Sequence, residues 1–484
     1  MPATAMRSDG PATGTRSEAL LDEATGLLQG LIRNRCVNDG SVESGQEIRN
    51  ADLLEGFLRT DRLVFRRFEP APGRVSLLAR LEGSDPSAPR LLLLGHTDVV
   101  PATPSAWRRD PFGGELVDGE VWGRGAADML SSTATMAVAL RELARRAPMR
   151  GTLLFLAEAD EEAGGALGAG WITQHEPDAV RADYVLTEAG FRLPLPARDG
   201  APLVQVATGE RGLCWCRLRV TARGGHGSMP FGCDNATVKI AEFVRRLVAN
   251  PPPAVLGGDW RAFVEAVDPV PEIAATWHDV ETFERGLAAP GALMPGPLHN
   301  ITHTTITPTV LRSGTKVNVV PNLAELDLDV RMLPGHSADD VRAFIRHALG
   351  DLADEIRIDI ITEDPASASA VDTPLFRTIR GVVADLVPGS RVVPSLFLFG
   401  SSDARFFRRL GATAYGAALM SDRIPFGELA RMLHGIDERM DLESLRLMAA
   451  FWIGVPERMF GSRPLSPDAD QPAPPARRAH GLPR

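Results

Sequence analysis

Apolar positions along this chain fall into two textures. Within residues 17–33, Leu20, Leu21, Leu27, Leu28, Leu31 and Ile32 recur at helical spacing and predict an amphipathic helix. Unbroken apolar runs follow at 91–94 and 152–157, with an Ala- and Leu-rich helix expected between them at 131–147. Short apolar runs bounded by turn residues suit strands buried on both faces of a sheet, and their alternation with helices marks an α/β domain. From residue 209 the pattern changes. Leu213, Trp215, Arg217 and Arg219 alternate with Cys214, Cys216, Leu218 and Val220, as in a strand with one solvated face. A helix is expected at 235–248, strands at 301–310 and 324–332, a helix at 338–349 and a strand at 355–361. That order describes a small antiparallel α+β unit. A helix at 374–386 then returns the chain to the first texture.

The organisation expected is a discontinuous first domain, 17–209 and 365–461, with a second inserted at 210–364. At 484 residues, two domains are the ordinary outcome. Residues 1–16 and the Pro-, Ala- and Arg-rich stretch 462–484 show no periodicity and read as disordered. The Pro-rich stretch 251–297 falls inside the second unit and shapes either a pocket or a contact between copies.

Composition excludes several classes. A formal net charge of -10 argues against nucleic acid as a partner, because phosphate binding needs a basic surface. Four cysteines, Cys36, Cys214, Cys216 and Cys233, are too few and scattered for a disulfide framework and read as ordinary thiols. No apolar run approaches a membrane span, and the first residues lack the apolar core of a secretory signal, so a cytoplasmic protein is expected.

Five segments end in groups able to bind metal. The run 91–94 leads to His96 and, two residues on, Asp98, which projects to the same side and could hold the second ring nitrogen of His96. Alone, such a histidine is more often a satisfied strand-end residue. Trp122-Gly123-Arg124-Gly125-Ala126-Ala127-Asp128 precedes a helix, where an aspartate is commonly an N-cap. The strand ending at Ala157 runs into Glu158, Asp160, Glu161 and Glu162, a concentration of carboxylates that is costly unless a cation neutralises it. Val185-Leu186-Thr187-Glu188 and Leu433-His434-Gly435-Ile436-Asp437-Glu438 complete the set.

In order and spacing these segments resemble the M20 metallopeptidases, a family that includes carboxypeptidase S, aminoacylase-1 and glutamate carboxypeptidase-like enzymes. The resemblance runs from about residue 90 to 440. It implies a mixed-sheet α/β catalytic domain of the zinc-exopeptidase type with an inserted α+β lid and dimerisation domain. It implies two zinc ions bridged by Asp128, with His96 and Glu188 completing one site and Glu162 and His434 the other; manganese or cobalt also suits such oxygen-rich sites. Glu161 is implied as general base towards a metal-bridged water, and Asp98 as the support of His96. Gly224-Gly225-His226-Gly227 resembles the lid motif whose histidine reaches the other subunit of a homodimer, where His226 would stabilise an oxyanion. By the same resemblance Asn318 and Arg331 contact substrate, and Arg405 is a further candidate for a carboxylate. An arginine in either place is as often a surface ion pair.

The chain departs from the family pattern at Leu130, Ser131 and Ser132, where a lysine and a glycine are frequent, and at Ala189, which stands where the first of two glycines often does. These positions bear on substrate preference more than on metal binding. The expected activity is hydrolysis of the amide bond of an N-acyl amino acid or short peptide bearing a free carboxylate. A dipeptidase or aminopeptidase, a specialised amide-hydrolysing biosynthetic step, and a non-catalytic binding protein on the same fold are the alternatives.

Overall fold

The run at 91–94 becomes the strand Arg90–His96, at the centre of a ten-stranded mixed sheet, in a computed structural model that describes residues 11–146 and 148–461. It pairs in parallel with Thr152–Glu158 on one side and Tyr184–Thr187 on the other. The latter pairs in parallel with Thr413–Gly416. Arg74–Leu81 and Leu63–Ala71 extend one edge antiparallel, and Leu203–Glu210 lies beyond Thr413–Gly416. The period-two geometry of a strand explains the unbroken apolar runs: Leu91, Leu93, Leu153 and Phe155 enter one core, while Leu92, Leu94, Leu154 and Leu156 enter another across the sheet. Both faces are therefore covered. The helices Leu130–Ala144 and Leu442–Phe460 pack together on the first of them.

A second, wholly antiparallel sheet has the order Thr305–Ser313, Leu323–Met332, Gly212–Thr221, Ile356–Asp364. Cys214, Cys216, Leu218 and Val220 point to its own core, under the helices Ala236–Ala249 and Ala338–Leu349, and Arg217 and Arg219 form ion pairs on the opposite face. The fold is α/β with a mixed sheet and an inserted α+β unit, as the pattern predicts.

Three details differ from the sequence reading. The first helix is Pro11–Arg33, six residues longer at its start than periodicity predicts, so residues 11–16 are helical rather than disordered. Apolar periodicity reports a buried face, and Ala12-Thr13-Gly14-Thr15 offers none to read. Residues 1–10 and the expected disordered stretch 462–484 lie outside the described residues. The strand expected at 301–310 is Thr305–Ser313, because residues 301 and 302 end the helix Pro295–Thr302.

Third, the Pro-rich stretch does not join the core of the inserted unit. It forms the helices Gly258–Val267, Pro271–Ala274, Val280–Leu287 and Pro295–Thr302. Phe263, Trp277 and Phe283 pack around Trp260, with the Trp260 and Phe283 ring centroids 4.9 Å apart in an edge-on contact, and all four belong to the large core of the first sheet. The interval 210–364 is thus continuous in sequence but divided between two cores. An amphipathic pattern says that a helix has a buried face, not which core receives it. Among the described residues no helix is long and apolar enough to cross a membrane.

Candidate metal centre

Parallel strands carry side chains to the carboxyl edge of the sheet, where open α/β folds place their ligands. Here His96 ends Arg90–His96, Glu161 and Glu162 follow Thr152–Glu158, and Glu188 follows Tyr184–Thr187. Asp128 sits in the loop before Leu130–Ala144, and His434 follows the helix Phe426–Met432. Sequence separations of up to 306 residues, that of Asp128 and His434, collapse to contact. His96 Nε2 lies 3.3 Å from Asp128 Oδ1, while His434 Nε2 lies 3.4 Å from Asp128 Oδ2 and 3.0 Å from Glu162 Oε2. Candidate ligand atoms of His96, Asp128 and Glu162 fall within 4.8 Å of one another, and so do those of His96, Glu161 and Glu188. Asp128 thus stands between the two histidines, one carboxylate oxygen towards each.

The surroundings fix this set. His96 is buried, and its Nδ1 meets the backbone oxygen of Asp98 at 2.9 Å, with the Asp98 carboxylate farther away at 3.6 Å. The Asp98 backbone, rather than its carboxylate as expected, makes the shorter contact with the ring. The Asp98 carboxylate instead accepts from Asn38 Nδ2 at 2.9 Å and from the Glu162 backbone N–H at 3.2 Å. Backbone conformation is unusual throughout: Asp160, Ala189 and His434 are non-glycine residues with φ of 72°, 101° and 56°. Gly190, with φ of 93°, is obligatory, since a Cβ there would stand 1.5 Å from the oxygen of Ala418.

Electrostatics at the cluster favour a cation. Burial, reinforced by neighbouring carboxylates, pushes the Glu161 and Glu188 carboxyls well above the ordinary range and raises that of Glu162. For His434, hydrogen bonds to Asp128 and Glu162 raise the imidazole to about 10. For His96, burial opposes the imidazolium, but the Asp128 hydrogen bond and the charges of Glu161, Asp98 and Glu162 outweigh it. Asp98 Oδ1 and Glu158 Oε2 are buried without a hydrogen-bond partner. Two imidazoles and several carboxylates converging in this way fit divalent cations.

The cluster opens into a cavity of about 970 Å³. Arg331 and Arg405 line it, each already engaged. Arg331 grips Asp329 with two hydrogen bonds of 2.8 and 3.1 Å, and Arg405 donates to Gly164 O at 2.8 Å beside Asp403 and Asp364. His226 and Asn318 are elsewhere. They meet on a two-stranded ribbon, Gly225–His226 with Val319–Val320, where both are exposed and neither lines the cavity. His226 Nδ1 is 2.8 Å from Ser228 Oγ.

Several residues at the site escaped sequence reading. Arg74, Glu47 and Asn38 form a buried network under Asp160 and Asp98. Nothing near Arg74 in sequence marks it, because its partner Asp160 is 86 positions away. Glu438 belongs to the His434 segment, and that proximity was the available signal. Arg211 lines the cavity beside Arg331. Its Nε is buried without a partner, and burial with the Arg331 charge lowers its guanidinium to about 10.

Comparison with known proteins completes the picture. Residues 92–458 match the model of peptidase family M20/M25/M40. The chain is 27% identical to probable carboxypeptidase S-like 2 of Dictyostelium discoideum, over 78% of this chain and 73% of that protein. It is 29% identical to the N-fatty-acyl-amino acid synthase/hydrolase PM20D1 of Xenopus tropicalis, over 79% and 74%. It is 27% identical to succinyl-diaminopimelate desuccinylase of a Caulobacter strain, over 93% and 99%. In fold it is similar to the M20 metallo-carboxypeptidase Sso-CP2 of Sulfolobus solfataricus, with a TM-score of 0.66 at 18% identity, covering 90% of this chain and 99% of that one. With histidines and carboxylates gathered at the sheet edge and a family match across most of its length, the chain belongs to peptidase family M20/M25/M40, the metal-dependent hydrolases of amide bonds.

Proposed function

We propose that the protein is a di-zinc hydrolase that cleaves the amide bond of an N-acyl amino acid or short peptide bearing a free carboxylate. The observation that carries this reading is Asp128, with one carboxylate oxygen 3.3 Å from His96 and the other 3.4 Å from His434. His96 and Glu188 with Asp128 would hold one ion, and Glu162 and His434 with Asp128 the other. Such ions, when bound, acidify water and polarise a carbonyl. Glu161, grouped with His96 and Glu188 and adjacent to Glu162, is the general base that takes the proton of the attacking water and returns it to the leaving amine. Asp98 and Asn38 hold His96 and Glu162 in place.

The substrate carboxylate is taken by the guanidinium groups at the cavity, Arg331 with Arg405, to which Arg211, whose Nε has no partner, is added. His226 and Asn318, exposed on their ribbon, act on the site of a second copy in a homodimer. Two relatives whose names describe removal of an acyl group from nitrogen support an N-acyl amino acid. The test is elemental analysis with a hydrolysis panel of N-acyl amino acids and dipeptides, on the wild type and Glu161→Gln. Close to two zinc ions per chain in both, with turnover only in the wild type, is expected. A chain that binds no metal and is inert throughout the panel would refute the reading and favour a non-catalytic binding protein.

A further inference from the structure

The register of the second sheet sets the exposed face of that sheet in rows. Arg331 stands opposite Thr305 on one side and Leu213 on the other, and Leu213 stands opposite Asp364. In the next row Asp329 is opposite Thr307, and Trp215 is opposite Thr362. Side chains two positions apart share a face, so Trp215 lies on the face of Leu213 and Arg331. Leu213, Trp215, Arg331, Thr362 and Asp364 all line the cavity onto which the candidate metal centre opens.

Trp215 is out of keeping with its surroundings. Arg217 and Arg219, farther along the same strand face, are matched by Asp327, Glu325 and Asp359, while Cys214 and Cys216 fill the core behind. Of seven tryptophans Trp215 alone is exposed, at 43%. The other six each have a ring or a guanidinium against them, as Arg124 on Trp107, His175 on Trp171 or Phe451 on Trp452. Among the described residues Trp215 has no such partner. An indole held on an ion-paired face adds nothing to the core of its own sheet, and its open ring is a platform for a second flat group.

The order of groups in the substrate decides which part meets this ring. With the carboxylate at Arg331 on the second sheet and the scissile carbonyl at the candidate metal centre of the first, the side chain of the amino acid branches between them, beside the carboxylate. The acyl group lies beyond the carbonyl. Trp215 is diagonal to Arg331 across the strand pair, a reach of about 7–8 Å between Cα atoms. We infer that Trp215 is a specificity-determining residue, which selects the amino acid released by stacking on an aromatic side chain. This rests on the hydrolase reading above, with Arg331 as the carboxylate anchor. Such a stack is worth about two- to tenfold beyond the burial of its area.

The experiment gives the full chain, supplied with zinc, the N-acetyl conjugates of phenylalanine, cyclohexylalanine and leucine. Phenylalanine and cyclohexylalanine differ in flatness but little in bulk, so their ratio reads stacking. Dissociation constants of the same compounds for Glu161→Gln, with and without Trp215→Ala, supply a readout independent of turnover. The phenylalanine compound should exceed the cyclohexylalanine one about threefold or more, in kcat/KM and in affinity. Trp215→Ala should bring that ratio close to unity, and Trp215→Phe should keep most of it. The ratio of N-hexanoyl- to N-acetylphenylalanine should be the same in Trp215→Ala as in the wild type. If Trp215→Ala does not fold, Trp215→Leu takes its place. A phenylalanine preference that survives loss of the indole, or an equal loss for all three amino acids, overturns the inference and leaves the hydrolase standing. So does a changed hexanoyl-to-acetyl ratio, which would set Trp215 on the acyl side. Absence of turnover throughout refutes the hydrolase, and the binding series then shows separately whether Trp215 selects aromatic rings.

Discussion

Glu438 accepts the backbone N–H of Asp128 at 3.0 Å, and the same carboxylate accepts Gly125 N at 2.9 Å, Ala127 N at 2.8 Å and Arg124 Nη1 at 2.8 Å. A single buried side chain thus gathers the loop that presents the candidate bridging ligand. It also ties that loop to the segment of His434, since Arg124 donates to Gly435 O at 2.6 Å. Glu438→Gln, which keeps the shape but supplies an N–H where an acceptor is needed, is expected to weaken zinc binding about 10- to 100-fold. The measure is competition with a chromophoric chelator, and kcat should fall more than KM rises.

Arg74 holds Glu47 through two 2.8 Å hydrogen bonds and Asp160 through one of 2.7 Å, all three side chains buried. Asp160 immediately precedes Glu161. Arg74→Met leaves two carboxylates without their cation and should cost about 3–5 kcal/mol in urea unfolding. A loss below about 1 kcal/mol would show that water or a rearranged partner replaces the guanidinium.

Charge crowding at the candidate centre makes bound metal a folding ligand. At a free zinc concentration 100 times the dissociation constant, stability should rise by about 2.7 kcal/mol per site, seen as a higher thermal midpoint that a chelator reverses. Asp128→Ala should abolish most of that increase, because Asp128 lies beside both histidines.

In the second sheet, Asp327 accepts Arg217 Nε at 2.6 Å and Arg312 Nη1 at 2.8 Å, joining three strands. Its hydrogen bonds with Arg217, opposed by slight burial and helped by Arg312, lower its carboxyl to about 2. A depressed carboxyl stabilises the fold above its unfolded value and loses that contribution as the pH falls towards the folded one. Asp327→Asn should therefore cost about 1–2 kcal/mol at pH 7. The difference from wild type should shrink between about pH 4 and 2. A difference independent of pH would assign the effect to packing.

Much of this was legible without coordinates, for identifiable reasons. The run 91–94 and the helix Pro374–Leu386 were readable because burial is written into local periodicity. His96, Asp128, Glu162, Glu188 and His434 were singled out by the order and spacing of five segments that resemble the M20 family, each of them weak alone. Arg74 and Arg211 were not, since each is an ordinary arginine until the chain brings Asp160 to one and sets the other in the cavity lining beside Arg331.

The sequence by itself determined the alternating elements, the insertion of an antiparallel unit, and the residue types able to bind metal, because these depend on a few neighbouring positions. Tertiary structure decided which core receives the helices of 258–302, that Asp98 carries Glu162 as well as His96, that one carboxylate gathers the Asp128 loop, and that Trp215 lines the cavity. Those depend on contacts between residues tens to hundreds of positions apart, and local periodicity holds no record of which distant residues meet.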